Sequence, residues 1–596
     1  MMSDRKYIVG IDLGTTNSVV AYTDASIEKG EAPEIRIFDI PQLTGPGSLE
    51  QRQTLPSFVL LPGPHDVPPD GLALPWNQKA DMAVGAFARD RGAEIPHRLV
   101  SSAKSWLCHF GVDRTRPILP WGADKDAKRL SPVEASAAVL MHIRDAWNFV
   151  LAGDDPSLRL ENQEIVLTVP ASFDAVAREL TVKAAASAGL ENLTLLEEPQ
   201  AAFYAWIYNA GDNWRKMVSV GDVVLVCDIG GGTSDFSLIA VSEDDGNLTL
   251  ERVAVGNHLL VGGDNMDLAM AHMVAKKLAA QGKSLDSWQM RGLWQSCRSA
   301  KEKLLEPDGP ASHAVTVLGR GRGLIAGTIK SELSAKEVFQ TLAEGFFPLC
   351  EKDAQPVAPA RSGMREMGLV YEADPAVTRH LAAFLQRAGL TKSMPTAVLF
   401  NGGVMKAASL KERIIEAISL WDEAGRGARE LSGADPDLAV AKGAACYGFS
   451  RQGQGVRIRG GLNKTYFVGI EAAMPAVPGL PAPQKALCVA PFGMEEGTGE
   501  FLTGREFGLV VGEKVKFDFL ASDTRHDDKA GDIIEDWAGQ LYNVSSLETE
   551  LSGEAGAVLP VTLEVHATQV GTLELWCVQA DGDKRWKLEF NVREKE

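Results

Sequence analysis

Ile8-Val9-Gly10-Ile11-Asp12-Leu13-Gly14-Thr15-Thr16-Asn17-Ser18-Val19-Val20 returns, 216 residues later, as Val224-Leu225-Val226-Cys227-Asp228-Ile229-Gly230-Gly231-Gly232-Thr233-Ser234-Asp235-Phe236. Both stretches read as apolar strand, aspartate, glycine-rich turn, hydroxyl residues and second strand. Glycine lets backbone N–H groups crowd toward an anion, and threonine hydroxyls add donors without bulk. An aspartate at the end of the first strand supplies a hard oxygen for Mg²⁺, directly or through its waters. Either turn alone is an ordinary β-turn. Two copies with the aspartate in the same place predict a duplicated pair of lobes whose turns face each other across a phosphate chain. Repeat arrays have periods of about 20 to 50 residues and are excluded. Neither turn carries the spacing of a Rossmann or P-loop fingerprint.

Outward from these hairpins the grammar is α/β. The apolar strand Ile165 to Val169 precedes a helix expected from about Asp174 to Ala188, stopped by Gly189. Ser131-Pro132-Val133-Glu134 is a capping box with proline in the first turn. Residues 62–75 with five prolines, 353–364, and the polar 209–222 are expected to be surface loops. Between Phe449 and Leu462 the composition breaks at RQGQGVRIRGG. Beyond it the period is two: Val515, Phe517, Phe519; Val561, Leu563, Val565; Leu573, Leu575, Cys577; then a turn at Asp581-Gly582 and Trp586, Leu588, Phe590. That is a β-rich module built of hairpins. The expected division is 1–452, a linker at 453–461, and a β-domain at 462–596.

Composition narrows the function classes. The 596 residues are 45% apolar and 23% charged, ordinary for a globular chain. The net charge of −19 and the lack of a basic stripe speak against nucleic acid. No stretch approaches the run of about 18 apolar residues that a membrane span needs, so neither nucleic acid nor membrane is an expected partner and a cytoplasmic location is expected. Seven cysteines without a C-x-x-C pair predict reduced, mostly buried thiols rather than a zinc site or a disulfide framework.

GIDLGTTNS at 10–18, TVPASFDAVARE at 168–179, LLEEPQAA at 195–202, VCDIGGGTSDFS at 226–237, VGGDNMD at 261–267 and GADPDLAVAKGAA at 433–445 resemble, in content and in order, the seventy-kilodalton heat-shock (DnaK-type) chaperones. The resemblance covers about residues 5–450. It implies a two-lobed, actin-like ATPase domain of ribonuclease H type that encloses Mg·ATP or ADP, followed by an all-β domain. It places Asp12, Gly14, Thr15, Thr16 and Asn17 on the first phosphate loop, and Asp228, Gly230, Gly231, Gly232, Thr233 and Asp235 on the second. Lys104 stands at the catalytic lysine, where a cation stabilises a loose phosphoryl-transfer state. Glu198 falls beside the metal and the attacking water. Catalysis is thus assigned to Lys104, Glu198, Asp228, Thr233 and Asp235, and Mg²⁺ to Asp12, Glu198 and Asp228, mostly through water. Gly262, Gly263, Arg298, Lys301, Glu302, Gly402, Gly403, Lys406 and Asp437 are implied around the nucleotide, and Pro170 and Arg178 as a relay to the outer domain.

Three departures from the family pattern carry expectations of their own. Arg298 and Glu302 exchange the family's charges, and on one helix strip they are expected to pair with each other. With Leu305 in place of a serine, this predicts a modified adenosine pocket and an altered nucleotide preference. The linker Gly455-Val456-Arg457-Ile458-Arg459 is basic and short of leucine, which puts docking of the usual aliphatic linker in doubt. After the last hairpin only Val592 to Glu596 remain, so no helical lid is expected. Together these residues predict an ATP-hydrolysing, heat-shock-type chaperone acting on unfolded or extended polypeptides with co-chaperones. The alternatives are a small-molecule kinase of the same superfamily and a nucleotide-gated scaffold or co-chaperone with little turnover.

Overall fold

The computed structural model describes residues 5–27, 33–109, 111–123, 127–244, 247–317, 328–358, 368–369, 371–390, 394–451, 458–459, 462, 464–472, 484–494, 498–522, 524–537, 539–567, 573–580, 582 and 584–588. It is of the α/β class and strand-rich toward the C-terminus. The chain forms two compact units. One comprises Met1–His109, Arg114–Ser172 and Leu180–Ile458; the other comprises Phe110–Asp113, Phe173–Glu179 and Arg459–Glu596.

The first unit holds two six-stranded sheets that repeat one design. In the first sheet, β1 (Tyr7–Leu13) pairs antiparallel with β2 (Asn17–Asp24) and parallel with β3 (Glu164–Val169), which pairs parallel with β4 (Leu193–Glu197). In the second, β5 (Val223–Ile229) pairs antiparallel with β6 (Ser234–Asp244), which continues to β7 (Asn247–Val255), and parallel with β8 (Ala397–Asn401). The registers place Asp12 opposite Val19 and Asp228 opposite Asp235. The duplicated sequence is therefore a duplicated hairpin, with each aspartate one residue from the end of its strand. The near-continuous burial of β1 and β5 follows from their central place in sheets covered on both faces.

The helices that position the site and its supports are α1 (Ala103–Trp106), α2 (Pro132–Trp147), α3 (Ala175–Ser187), α4 (Glu198–Ala210), α5 (Gly263–Ala280), α6 (Ser287–Leu304) and α7 (Ala439–Arg451). The capping box forms on α2: Glu134 N–H donates to Ser131 Oγ at 3.1 Å, and Ser131 N–H donates to Glu134 Oε2 at 2.7 Å. α3 ends before Gly189, whose φ of +79° stops it. α4 and α7 pack so closely that a Cβ on Gly443 would lie 1.7 Å from the Ala201 carbonyl oxygen. On α7's other side, a Cβ on Gly10 would lie 2.3 Å from Ala441 O. The small residues Ala441, Gly443, Ala444 and Ala445 thus let one helix seat against both α4 and β1. Their shared core joins Ala201, Phe203, Tyr204 and Trp206 to Val224, Ile239, Leu250, Val440 and Ala444.

One loop expectation is corrected. Residues 209–222 include a 3-10 turn at Gly211–Asn213 and a short helix at Trp214–Met217, and Trp214 is buried in that same core. A single large apolar side chain inside a polar run anchors the segment, because its burial outweighs the polarity of its neighbours. The linker falls mostly outside the described residues; Ile458–Arg459 is a strand.

The second unit is built on two antiparallel sheets. One has the order Ile533–Ile534, Gln484–Ala490, Thr465–Glu471, Lys514–Ser522, Tyr542–Glu550; the other runs Gly499–Val511, Ala557–Ala567, Leu573–Gln579, Arg585–Leu588. The period-two residues behave as their pattern requires: Val561, Leu563, Val565, Leu575, Cys577, Trp586 and Leu588 enter one core. Phe590 lies outside the described residues. Among the described residues no cysteine forms a disulfide, and four of the seven are buried. Among the described residues no helix is long and apolar enough to cross a membrane.

Candidate functional site

The two glycine turns meet. A Cβ on Gly231 would lie 2.2 Å from Thr16 Oγ1, and one on Gly232 would lie 3.0 Å from Thr15 Cγ2. The glycine backbone of one turn therefore stands against the threonine side chains of the other. The second turn is braced from behind by the start of α5, where Gly263 N–H donates to Gly230 O at 3.0 Å and Asp264 N–H donates to Gly231 O at 2.7 Å. Gly262 N–H is in turn taken by Asn265 Oδ1 at 3.0 Å. Gly402 closes the other flank: its φ is +84°, and a Cβ there would lie 2.3 Å from Ile229 O, so glycine alone fits.

These turns line a cavity of about 670 Å³, within the range of small-molecule sites. Its walls hold Asp12, Gly14, Thr15, Thr16, Asn17, Lys104, Pro170, Glu198, Asp228, Gly230, Gly231, Thr233, Gly263, Arg298, Lys301, Glu302, Leu305, Gly402, Gly403, Lys406 and Asp437. Segments hundreds of residues apart in sequence converge here. Four of the sequence-derived residues do not line it: Gly232, Asp235, Gly262 and Arg178.

Lys104 is buried and forms an ion pair with Glu198. Its helix is a single turn that comes after Ser102, held in the left-handed region at φ 54°, a conformation unusual for a residue with a side chain. Burial opposes the Lys104 charge, yet Glu198 and then Asp12 outweigh it and hold the ammonium above its ordinary value. Asp12 accepts from Thr168 Oγ1 at 3.2 Å, and Asp228 accepts from Asn401 Nδ2 at 2.6 Å. Burial, reinforced by Glu198, pushes the Asp12 carboxyl up to about 7 and the Asp228 carboxyl up to about 8. The pocket concentrates buried negative charge beyond what Lys104 neutralises, which is the demand a cation answers. The donor set is hard oxygen, and Asn401 Oδ1, buried beside Asp228, has no hydrogen-bond partner among the described residues. Among the described residues no three His, Cys, Asp or Glu side chains form a direct metal cage. Water-mediated Mg²⁺ fits such a site, since this ion sheds its hydration reluctantly and takes one or two carboxylates.

Asp235 is corrected from a cavity carboxylate to one set behind the wall. Ser172 Oγ donates to it at 2.6 Å, and His258 Nδ1 faces its two oxygens at 3.1 and 3.2 Å. Burial alone would lower His258, but the Asp235 carboxylate outweighs it and holds the imidazole above its ordinary 6.5. The expected pairing of Arg298 with Glu302 along one strip of α6 is also corrected. Arg298 reaches across to α5, with Nε 2.8 Å from Asp267 Oδ2 and a second ion pair to Asp264. Lys301 Nζ lies 2.6 Å from Asp267 Oδ1. Two acidic residues on the facing helix compete better for the guanidinium than one exposed neighbour on its own helix, because burial strengthens the ion pair. Lys406 pairs with Asp437, and Arg178 is buried with its Nε donating to Phe173 O at 3.2 Å.

A family model described as Hsp70 protein matches residues 80–311. Chaperone protein HscA of Enterobacter sp. is 29% identical over 411 residues, which make up 68% of this chain and 58% of that protein. Chaperone protein HscA of Salmonella typhimurium is 28% identical over 410 residues, with the same coverage. The chain is similar to Hsp70-type chaperones over these residues. It spans 58% of the length of these curated relatives. In this chain, sequence reasoning missed Asn401, Asp264, Asp267, Ser172 and His258. Asn401 had a signal, since it ends β8 immediately before the double glycine. Asp264 and Asp267 lay in plain view within VGGDNMD, but only the packing of α5 on α6 gives them Arg298 and Lys301.

Proposed function

We propose that this chain binds ATP and hydrolyses it slowly, as a heat-shock-type chaperone of the cytoplasm. Residues 1–452 form a two-lobed, actin-like ATPase domain, residues 453–461 a linker, and residues 462–596 a β-domain that takes unfolded or extended polypeptide, with co-chaperones as further partners. One observation carries this reading: both Asp-Gly-Thr turns and the Lys104–Glu198 pair line one cavity.

The turn amides of Gly14 and Gly231, with the hydroxyls of Thr15, Thr16 and Thr233, bind the phosphate chain from two sides. Asp12, Glu198 and Asp228 would hold Mg²⁺ mostly through water, and the ion, when bound, would neutralise phosphate charge. Lys104 stabilises the charge that develops on the transferred phosphoryl oxygens. Glu198 accepts from the attacking water and orients it. Asp235, held by Ser172 and His258, acts from behind the wall. Arg298, Lys301, Glu302, Leu305, Gly402, Gly403 and Lys406 surround the nucleoside; with their charges rearranged, the preference among nucleotides differs from the family's. Pro170 and Arg178 are the relay toward the β-domain.

Steady-state phosphate release with and without an unfolded polypeptide tests the reading. Stimulation by polypeptide is the expected result. Turnover that appears only with an added metabolite would instead assign a small-molecule kinase, and tight nucleotide binding without turnover a nucleotide-gated scaffold.

A further inference from the structure

Glu197, the residue before Glu198, does not line the cavity, yet its side chain is almost completely buried. It forms an ion pair with Arg252, and the two side chains are 2% and 3% exposed. Glu197 ends β4 and is the N-cap residue of α4, with no side-chain cap to its own helix. Arg252 comes from β7, in the other sheet of the same unit. Leu250, two residues earlier on β7, packs in the core that α4 fills with Ala201 to Ile207. Arg252 therefore leaves the sheet face that supports α4 and meets the first residue of the turn into that helix. The β6–β7 ladder carries a bulge here, since Leu238 pairs with Ala254 whereas Ile239 pairs with Arg252. Bulges re-aim side chains beside functional sites.

An ion pair so deeply buried is weak evidence for stability, because desolvation offsets much of its attraction. What it does provide is geometry. The guanidinium fixes one carboxylate of the strand-to-helix turn, and the next residue presents the other carboxylate to Lys104. We propose that Arg252 is a positioning residue: by holding Glu197 it sets the turn that presents Glu198 to Lys104, and it ties that carboxylate of the first sheet to the second sheet. This role rests on the phosphate-transfer reading of the cavity. Arg252 does not line the cavity, so its effect falls on kcat rather than on nucleotide affinity.

Three variants of the full chain test it: Arg252→Met, Arg252→Lys, and the double variant Arg252→Met with Glu197→Gln, which leaves no unpaired buried charge if the single change fails to fold. Steady-state phosphate release gives kcat, and calorimetric titration with ADP gives the affinity and the fraction of competent sites. The expected result is a kcat per competent site lower by about tenfold or more in the double variant, ADP affinity within about threefold of the unchanged chain, and partial recovery of kcat in Arg252→Lys. A kcat per competent site within about twofold of the unchanged chain in the double variant overturns the proposal while leaving the ATPase reading intact. Absence of turnover in the unchanged chain overturns the ATPase reading and this proposal with it.

Discussion

The wall of turns and the wall of helix α6 line the same cavity by different means. The turns present mostly backbone, at Gly14, Gly230 and Gly231, and their positions are set by strand register and by close contacts that only glycine tolerates. The α6 wall presents side chains, and their direction depends on α5: Arg298 and Lys301 turn to Asp264 and Asp267. The difference teaches that a main-chain wall is specified by local sequence, whereas a side-chain wall is specified by whichever partner the packing brings. The first should govern chemistry and the second should govern how the nucleoside is held.

The comparison breaks most directly at Lys104, the buried cation of the turn side that Glu198 holds. Lys104→Ala should lower turnover about a thousandfold, near 4 kcal/mol of barrier, with nucleotide affinity little changed; phosphate release beside equilibrium binding reads both, and unchanged turnover removes the catalytic assignment. On the other wall, Arg298→Met leaves Asp264 and Asp267 short of a partner. It should cost about 3 kcal/mol in denaturant unfolding while turnover per bound nucleotide stays within about twofold, and a selective loss of turnover would erase the distinction between the walls. Gly402→Ala tests the backbone character of the first wall. With a positive φ and Ile229 O at 2.3 Å from the new Cβ, it should cost about 2 kcal/mol by the same measurement, and a neutral result would mean that the turn yields.

The smallest effect sharpens the boundary between the walls, at His258. Its folded pKa is raised above 6.5 by Asp235 against the opposing effect of burial, so the folded state holds the proton more tightly than the unfolded chain. That contribution is fully present below pH 6.5 and is lost as pH rises through the folded value. Melting curves from about pH 6 to 8.5 should fall more steeply for the unchanged chain than for His258→Gln. Parallel curves would mean that the Asp235 contact does not bind this proton more tightly in the folded state.

Much of this was legible in the chain itself. The duplicated hairpins, the capping box at Ser131, the stop at Gly189 and the period-two strands of the second unit are local patterns, and each appears where its residues place it. The convergence of Lys104, Glu198 and Pro170 on the turns came from motif order, without which a lysine in a four-residue helix carries no meaning. Trp214 went unread because one buried indole among polar neighbours has no period. His258 and Arg252 went unread because neither belongs to a motif: Arg252 follows Glu251 within β7, and His258 lies in the loop after that strand.

Sequence by itself determined the two Asp-Gly-Thr turns and their glycines, since turn geometry and strand periodicity are properties of a dozen consecutive residues. Tertiary structure alone decided which charges meet: Arg298 with α5 rather than with Glu302, Asp235 with Ser172 and His258, and Glu197 with Arg252. The physical reason is burial. Charges in water are screened and gain little from a chosen partner, but once the sheets and helices exclude water, each must find the opposite charge that packing has placed beside it.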